Sequence, residues 1–495
     1  MGQSYTQLEK QFKRIHVLGD AASMLQWDMS AMMPSGGANA RTEQMALLAT
    51  LRHNMMTSAE IGDLMAAAEK EADLNDWQAA NLKEMQRGYI HATALDEDLV
   101  EAISRATSSC EQIWRKARSQ GDFKMVLPTL KEVLSLTRKA AQAKSEKLGC
   151  SLYDALLDQY EPDGKSADID PIFARMEGFL PDFLQAVLEK QKENSFTLPE
   201  GPFAIDQQKA LGKTFMDALG FDFDHGRLDV SLHPFCGGTP DDVRLTTRYD
   251  EADFTSALMG VLHETGHALY ERGLPVEWRN QPVGCARGMS LHESQSLLVE
   301  MQVCRSDAFL KYAVPLMKEI FNGNGPSWSL DNFTQLYREV KPGFIRVDAD
   351  EVTYPAHVIL RYKLERALIE GDMEVEDIPA AWNESMQNML GITPPSDREG
   401  CLQDIHWYDG AWGYFPTYTL GAMTAAQIFA AAKTALPTVE EDIAQGDFST
   451  LLGWLRSNIH GYGSKLSGRD LLIKSTGQPL DPEIFIGHLK TRYLD

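Results

Sequence analysis

Positive charge is scarce in this sequence. Its 495 residues carry 47 Lys and Arg against 71 Asp and Glu, a net charge of −24. A field of that sign repels phosphate backbones and anionic lipid, so no nucleic-acid partner and no membrane partner is expected. Long apolar runs are lacking too: no stretch approaches the roughly 20 apolar residues that span a bilayer. The opening segment, MGQSYTQLEKQFKRIHVLGD, has charges where a secretory leader needs an apolar stretch. Cysteine is sparse, and Cys110, Cys150, Cys236, Cys285, Cys304 and Cys401 include no CxxC pair. That excludes a cysteine metal cluster and reads as reduced, mostly buried thiols of a cytoplasmic protein. With no repeat, low-complexity run or long Gly/Ser linker, the expectation is a single domain over residues 1–495.

What is present is mainly α. DWQAANLKEMQRGYIHATAL and TLKEVLSLTRKAAQAKSEKLG place apolar residues at helical spacing with charges between them, and Gly149 and Gly220 stand where helices should stop. Two places break the pattern. RLDVSLHPF alternates Leu228, Val230 and Leu232 on one face, and DVRLTTRYD alternates again after CGGTPD, which predicts an antiparallel hairpin with CGGTPD as its turn. GFIRVDADEVTYP (343–355) reads as a second short extended pair. A small sheet in a helical protein suggests an edge strand able to take an extended peptide through main-chain hydrogen bonds.

The hairpin precedes VLHETGHALYERGLP. His263 and His267 are four apart, so on a helix they project from one face and can bind one cation. Glu264 lies about 100° round from His263, near enough to act on a water at that cation without being a ligand. Leu258, Val261, Leu262 and Leu269 give the helix an apolar face, and Gly273 followed by Pro275 ends it. Burying two histidines and a glutamate there without a cation would be costly. The long HExxHxxGxxH pattern is excluded, because Tyr270 and Gly273 stand where it needs Gly and His. The third ligand must lie elsewhere, and GMSLHESQSLLVEMQVCR offers His292 or Glu293. Adjacent helical residues point about 100° apart, so one of the two serves. The catalytic zinc arrangement of two His, one Glu and an open position favours Glu293.

Further motifs carry a family likeness. His233-Pro234-Phe235, then Asp242, Arg244 and Thr246, then His263-Glu264-Thr265-Gly266-His267, then His292-Glu293-Ser294-Gln295, then Ile345-Arg346 with Ala349-Asp350, then Gly400, Gln403-Asp404, His406 and Trp407 follow in order. In these residues, and in LQWDMSAMMPSGGANARTEQ and TGQPLDPEIFIGHLKTRY toward the two ends, the chain resembles the M32 metallocarboxypeptidases of the Taq carboxypeptidase type. The resemblance implies a mainly α fold like that of angiotensin-converting enzyme and neurolysin, with a small β-sheet beside a deep groove. It also implies Glu293 as third ligand and a cytoplasmic homodimer that removes C-terminal residues with broad specificity, using one divalent metal, commonly zinc, with cobalt as a substitute.

On that basis His263, His267 and Glu293 are the expected metal ligands and Glu264 the general base. A carboxypeptidase must read a free carboxylate, and the planar, always charged fork of Arg346 suits that. The competing reading of Arg346 is an ion pair with Asp348 or Asp350. Among His406, Tyr408, Tyr414 and Tyr418, Tyr418 is preferred, by analogy with related peptidase folds, as donor to the developing oxyanion. His233, before Pro234, is a candidate substrate contact. Asp242 and Arg244, two apart on one strand face, read as a structural ion pair. Two other functions are weighed: an endopeptidase or dipeptidyl-type enzyme on the same scaffold, and a non-catalytic metal- or peptide-binding protein, for which the retained Glu264 is unexpected.

Overall fold

The computed structural model describes residues 2–231 and 233–495, so the expectation for Leu232 lies outside the described residues. Helix dominates, with one three-stranded sheet at mid-chain. Gly149 and Gly220 end their helices in the left-handed conformation, at φ 69° and 88°, which only glycine adopts without strain.

The elements used below are α1 (Gln3–Ala31), β1 (Gly226–Val230), β2 (Phe235–Thr239), β3 (Asp242–Thr247), α2 (Phe254–Gly273), α3 (Met289–Leu297), α4 (Tyr354–Glu370), α5 (Pro416–Ala435) and α6 (Pro482–Leu494). Two large apolar cores organise the body. One gathers Trp114, Tyr153, Phe173, Trp382 and Trp407. The other gathers Phe215, Phe254, Phe309, Trp328 and Phe333. Helix α5 is the wall between them. Its Met423 and Ala426 belong to the first core, and its Ala425, Ile428 and Phe429 to the second. A smaller core packs α1 residues Tyr5, Leu8 and Phe12 on Met65 and Met85.

The sheet corrects the expected hairpin. Its order is β1-β3-β2, with β1 parallel to β3 and β2 antiparallel to β3. CGGT is strand, and the chain turns at Pro240 and Asp241. The glycines serve close approach: at Gly238, φ 87°, a Cβ would stand 2.1 Å from the Asp242 carbonyl oxygen. Helix α1 seals the β2 edge, where Ser23 Oγ donates to the Gly238 carbonyl at 2.8 Å. The buried Trp27 ring lies 4.5 Å beneath the Arg244 guanidinium, and Arg244 pairs with Asp242 as expected.

The second extended pair does not form. Arg346–Asp348 is a single 3-10 turn and α4 starts at Tyr354. Asp350 explains this. Its Oδ1 accepts from the backbone N–H groups of Val352 and Thr353, both at 3.0 Å, which bends the chain into a helix start that Pro355 then favours.

Candidate metal centre and groove

Helix α2 begins at Asp253, whose carboxylate accepts from the N–H groups of Thr255 and Ser256. It ends at Gly273, before Pro275. Within it His263 and His267 share one face, their ring centroids 5.0 Å apart. Glu293 comes from α3, and two glycines let α3 approach. A Cβ on Gly266 would stand 2.5 Å from the Gln295 carbonyl oxygen, so α2 and α3 touch backbone to backbone beside His267. A Cβ on Gly421 of α5 would stand 2.9 Å from Cβ and Cγ of Glu293. Helix α3 is therefore gripped between α2 and α5 at the level of Glu293.

The result is one cluster. The ligand atoms of His263, His267 and Glu293 all lie within 4.8 Å of one another. Glu293 Oε2 is 3.5 Å from His267 Nε2 and 3.8 Å from His263 Nε2. Donors around a tetrahedral ion with bonds of about 2.1 Å stand about 3.4 Å apart, so the three residues fit a divalent ion with a fourth position open. His292, the other candidate for the third position, stacks on His267 at 4.5 Å and turns its Nε2 to Glu271 at 2.9 Å.

The surroundings orient these groups. After α3 the chain makes a π-helical turn over Leu298–Cys304. It carries Glu300, which bonds His263 Nδ1 at 2.9 Å and accepts from Arg305 Nη2 at 2.6 Å. With Nδ1 engaged, His263 turns Nε2 to the cluster. His267 has no such support: its buried Nδ1 has no hydrogen-bond partner among the described residues. Glu264 is buried on the same wall, and burial, with Glu293 and Glu300 nearby, pushes its carboxyl up to about 7 against the opposing pull of His263. Burial also opposes the charge of Glu293, but the neighbouring histidines, His267 first, hold it down to about 2.

The cluster opens onto a groove of about 790 Å³. Pro234, His263, Glu264, Glu293, Arg346 and Tyr418 all line it. Arg346 is buried, and its ion-pair partner is neither Asp348 nor Asp350, which corrects the competing reading. Asp404 accepts from Arg346 Nε at 3.2 Å and from Nη2 at 2.8 Å, while Nη1 donates to the Tyr354 hydroxyl at 3.1 Å. Asp404 also accepts from Arg361 Nε at 2.7 Å. Burial alone would raise Asp404, yet the two guanidiniums hold it far below the usual carboxylate range. Of an arginine's five N–H groups, three are thus used on Arg346; the other two, one on each terminal nitrogen, have no partner among the described residues.

Of the aromatic candidates, Tyr418 reaches the groove, its hydroxyl 3.2 Å from His406 Nε2. Tyr408 is core, donating to the Cys401 carbonyl oxygen. His233 is exposed between β1 and β2, and its neighbour Pro234 is the residue of that motif on the groove wall. Sequence reasoning missed Glu300, Tyr354 and the two contact glycines. Gly266 stood in plain view as the fourth residue of HETGH, whereas no spacing rule relates Glu300 to His263.

Comparison with known proteins agrees over the whole chain. Residues 7–493 match the family model described as Carboxypeptidase Taq (M32) metallopeptidase. The chain is 38% identical over 487 residues to a protein of Thermus thermophilus named thermostable carboxypeptidase 1, covering 96% of this chain and 95% of that one. It is 34% identical over 495 residues to carboxypeptidase 1 of Bacillus subtilis, with 98% of each covered. Among solved structures, Trypanosoma cruzi metallocarboxypeptidase 1 superposes with a TM-score of 0.98 at 42% identity over 100% of both chains. A Pyrococcus furiosus carboxypeptidase superposes with a TM-score of 0.94 at 33% identity, over 100% of this chain and 99% of that one. A helical body, a two-histidine, one-glutamate cluster and a match from residue 7 to 493 lead to one conclusion: the chain belongs to the Carboxypeptidase Taq (M32) metallopeptidase family, and is a metallocarboxypeptidase.

Proposed function

We propose that this metallocarboxypeptidase releases single C-terminal residues from peptides with broad specificity, as one catalytic domain spanning residues 1–495. His263, His267 and Glu293 hold one divalent ion, zinc in the first place and cobalt as a substitute. The observation that carries the reading is the free half of the Arg346 guanidinium in the same groove as the metal cluster. A bound ion supplies Lewis acidity to a water and to the scissile carbonyl. Glu264, buried on the same wall and next to His263 in the helix, takes the proton from the attacking water and delivers it to the leaving amine. Arg346, its side edge filled by Asp404, offers one N–H from each terminal nitrogen to the substrate's C-terminal carboxylate. Tyr418, backed by His406, hydrogen-bonds the carbonyl oxygen of the scissile bond. His233 contacts substrate at the rim beside Pro234.

Broad specificity is supported by a mixed wall, to which Met259, Leu297, Met301 and Tyr337 contribute as well as Arg305 and Glu339. A cytoplasmic location is supported by six unpaired cysteines and by the family likeness, and a homodimer by that likeness. Among the described residues no helix is long and apolar enough to cross a membrane. The deciding experiment digests matched peptides ending in a free acid or an amide and follows products by mass spectrometry, with metal content measured alongside. Stepwise loss of single residues from the free acids alone is expected. Equal cutting of the amides, or release of dipeptides or internal fragments, refutes the reading.

A further inference from the structure

Tyr354 lies outside every motif by which the sequence announces its site. It is the first residue of α4 and lines the groove together with Glu264, Glu293 and Arg346. Its hydroxyl has one hydrogen bond among the described residues, from Arg346 Nη1 at 3.1 Å. A guanidinium carries five donors and no acceptor. The direction of that bond is therefore fixed: Tyr354 accepts, and its own proton must point away from Arg346. At Tyr418 the direction is not fixed in this way, because His406 Nε2 donates or accepts according to its tautomer. Burial keeps the Tyr354 phenol protonated. Its ring stands nearly perpendicular to that of Tyr418, at 88° with centroids 6.3 Å apart, so the two phenols border the same stretch of groove. Tyr354 thus presents a donor, polarised by a neighbouring full charge, that no described protein group satisfies.

Resting on the proposed reading that Arg346 takes the C-terminal carboxylate, we infer that Tyr354 donates its hydroxyl proton in a hydrogen bond to the oxygen of the scissile carbonyl as charge develops on it. The reach is right. One residue separates that carbonyl from the carboxylate, and one residue spans at most about 3.6 Å of extended chain. With the carboxylate held on Arg346, the scissile carbonyl is therefore within one residue's reach of the arginine that the Tyr354 hydroxyl touches. The bond strengthens as the oxygen gains charge, so its contribution appears in turnover more than in substrate binding.

The test compares Tyr354→Phe with Tyr418→Phe and wild type on one free-acid peptide, with metal content and thermal midpoint measured for each. Tyr354→Phe keeps the ring and removes one oxygen. Its kcat is expected to fall about 10²-fold with KM within about threefold of wild type. Two binding measurements on the same proteins exclude an effect routed through Arg346. Affinity for a phosphinic peptide, which mimics the tetrahedral centre, should fall about as far as kcat. Affinity for a free-acid product should hold within about threefold. An unchanged kcat overturns the inference. So does a raised KM with unchanged kcat, or equal weakening of the phosphinic peptide and the product, which would make the hydroxyl a prop for Arg346. If wild type fails to release single residues, the underlying reading fails; if it succeeds and Tyr354→Phe matches it, only this inference does.

Discussion

The two ends of the groove are built in opposite ways. At the metal end, two of the candidate ligands are one helical turn apart on α2, and the third is gripped against them by helix–helix contacts at Gly266 and Gly421. At the other end, Arg346 leaves a 3-10 turn, Tyr354 opens a helix, and Asp404 and His406 sit in irregular chain about 60 residues further on. The metal end is held by backbone spacing. The other end is held by one carboxylate shared between two arginines. Loss of a metal-holding residue or of Glu264 at the first should show in metal retention or turnover, and loss of Arg346 at the second in recognition of the free carboxylate. Tyr354 stands at the second end but is expected to act on turnover.

That contrast can be broken by mutation, from large effects to small. Glu264→Gln should keep its metal and lose kcat by about 10³–10⁴-fold; metal-loaded variant with substantial remaining turnover would remove Glu264 as the base. Arg346→Ala should lower kcat/KM for free-acid peptides by about 10²–10³-fold, chiefly through KM, while metal content stays at the wild-type level. A fall in kcat alone would mean that the two ends are one unit. Glu300→Gln should weaken metal binding about 10–100-fold in a chelator competition, because His263 loses the charged partner of its Nδ1. Unchanged affinity would make the π-turn carboxylate a partner for Arg305 only. Gly266→Ala forces a Cβ against the α3 backbone and should lower unfolding free energy by about 1–3 kcal/mol in a denaturant titration. The same substitution at a glycine with open space, Gly178, should not do so by packing.

The contrast also explains what could be read from the sequence. The metal end announces itself because a helix turns a four-residue spacing into a shared face, and HES needed only the choice between neighbours. The other end has no such period. The pairing of Arg346 with Asp404 spans 58 residues of chain, so local charges suggested Asp348 and Asp350 instead. The π-turn that brings Glu300 to His263 leaves no mark in apolar periodicity. The sheet was misread because Gly237 and Gly238 carry the usual signature of a turn, whereas here both lie in strand and Gly238 lets β2 pass close to the Asp242 backbone. The extended segment at 343–355 was misread because the Asp350 side chain takes over backbone N–H groups that a strand would have paired.

The sharing of Asp404 has one more outcome. Two guanidiniums bonded to a single carboxylate leave one positive charge over, buried at the end of the groove. A peptide is a directed object, with an ammonium at one terminus and a carboxylate at the other. At an effective dielectric of about 20, a unit charge about 4 Å away is worth about 4 kcal/mol, favourable for the carboxylate and unfavourable for the ammonium. On the reading of Arg346 proposed above, the surplus charge works as a compass. At that end of the groove it favours the carboxylate terminus over the ammonium terminus, whatever the side chains of the peptide.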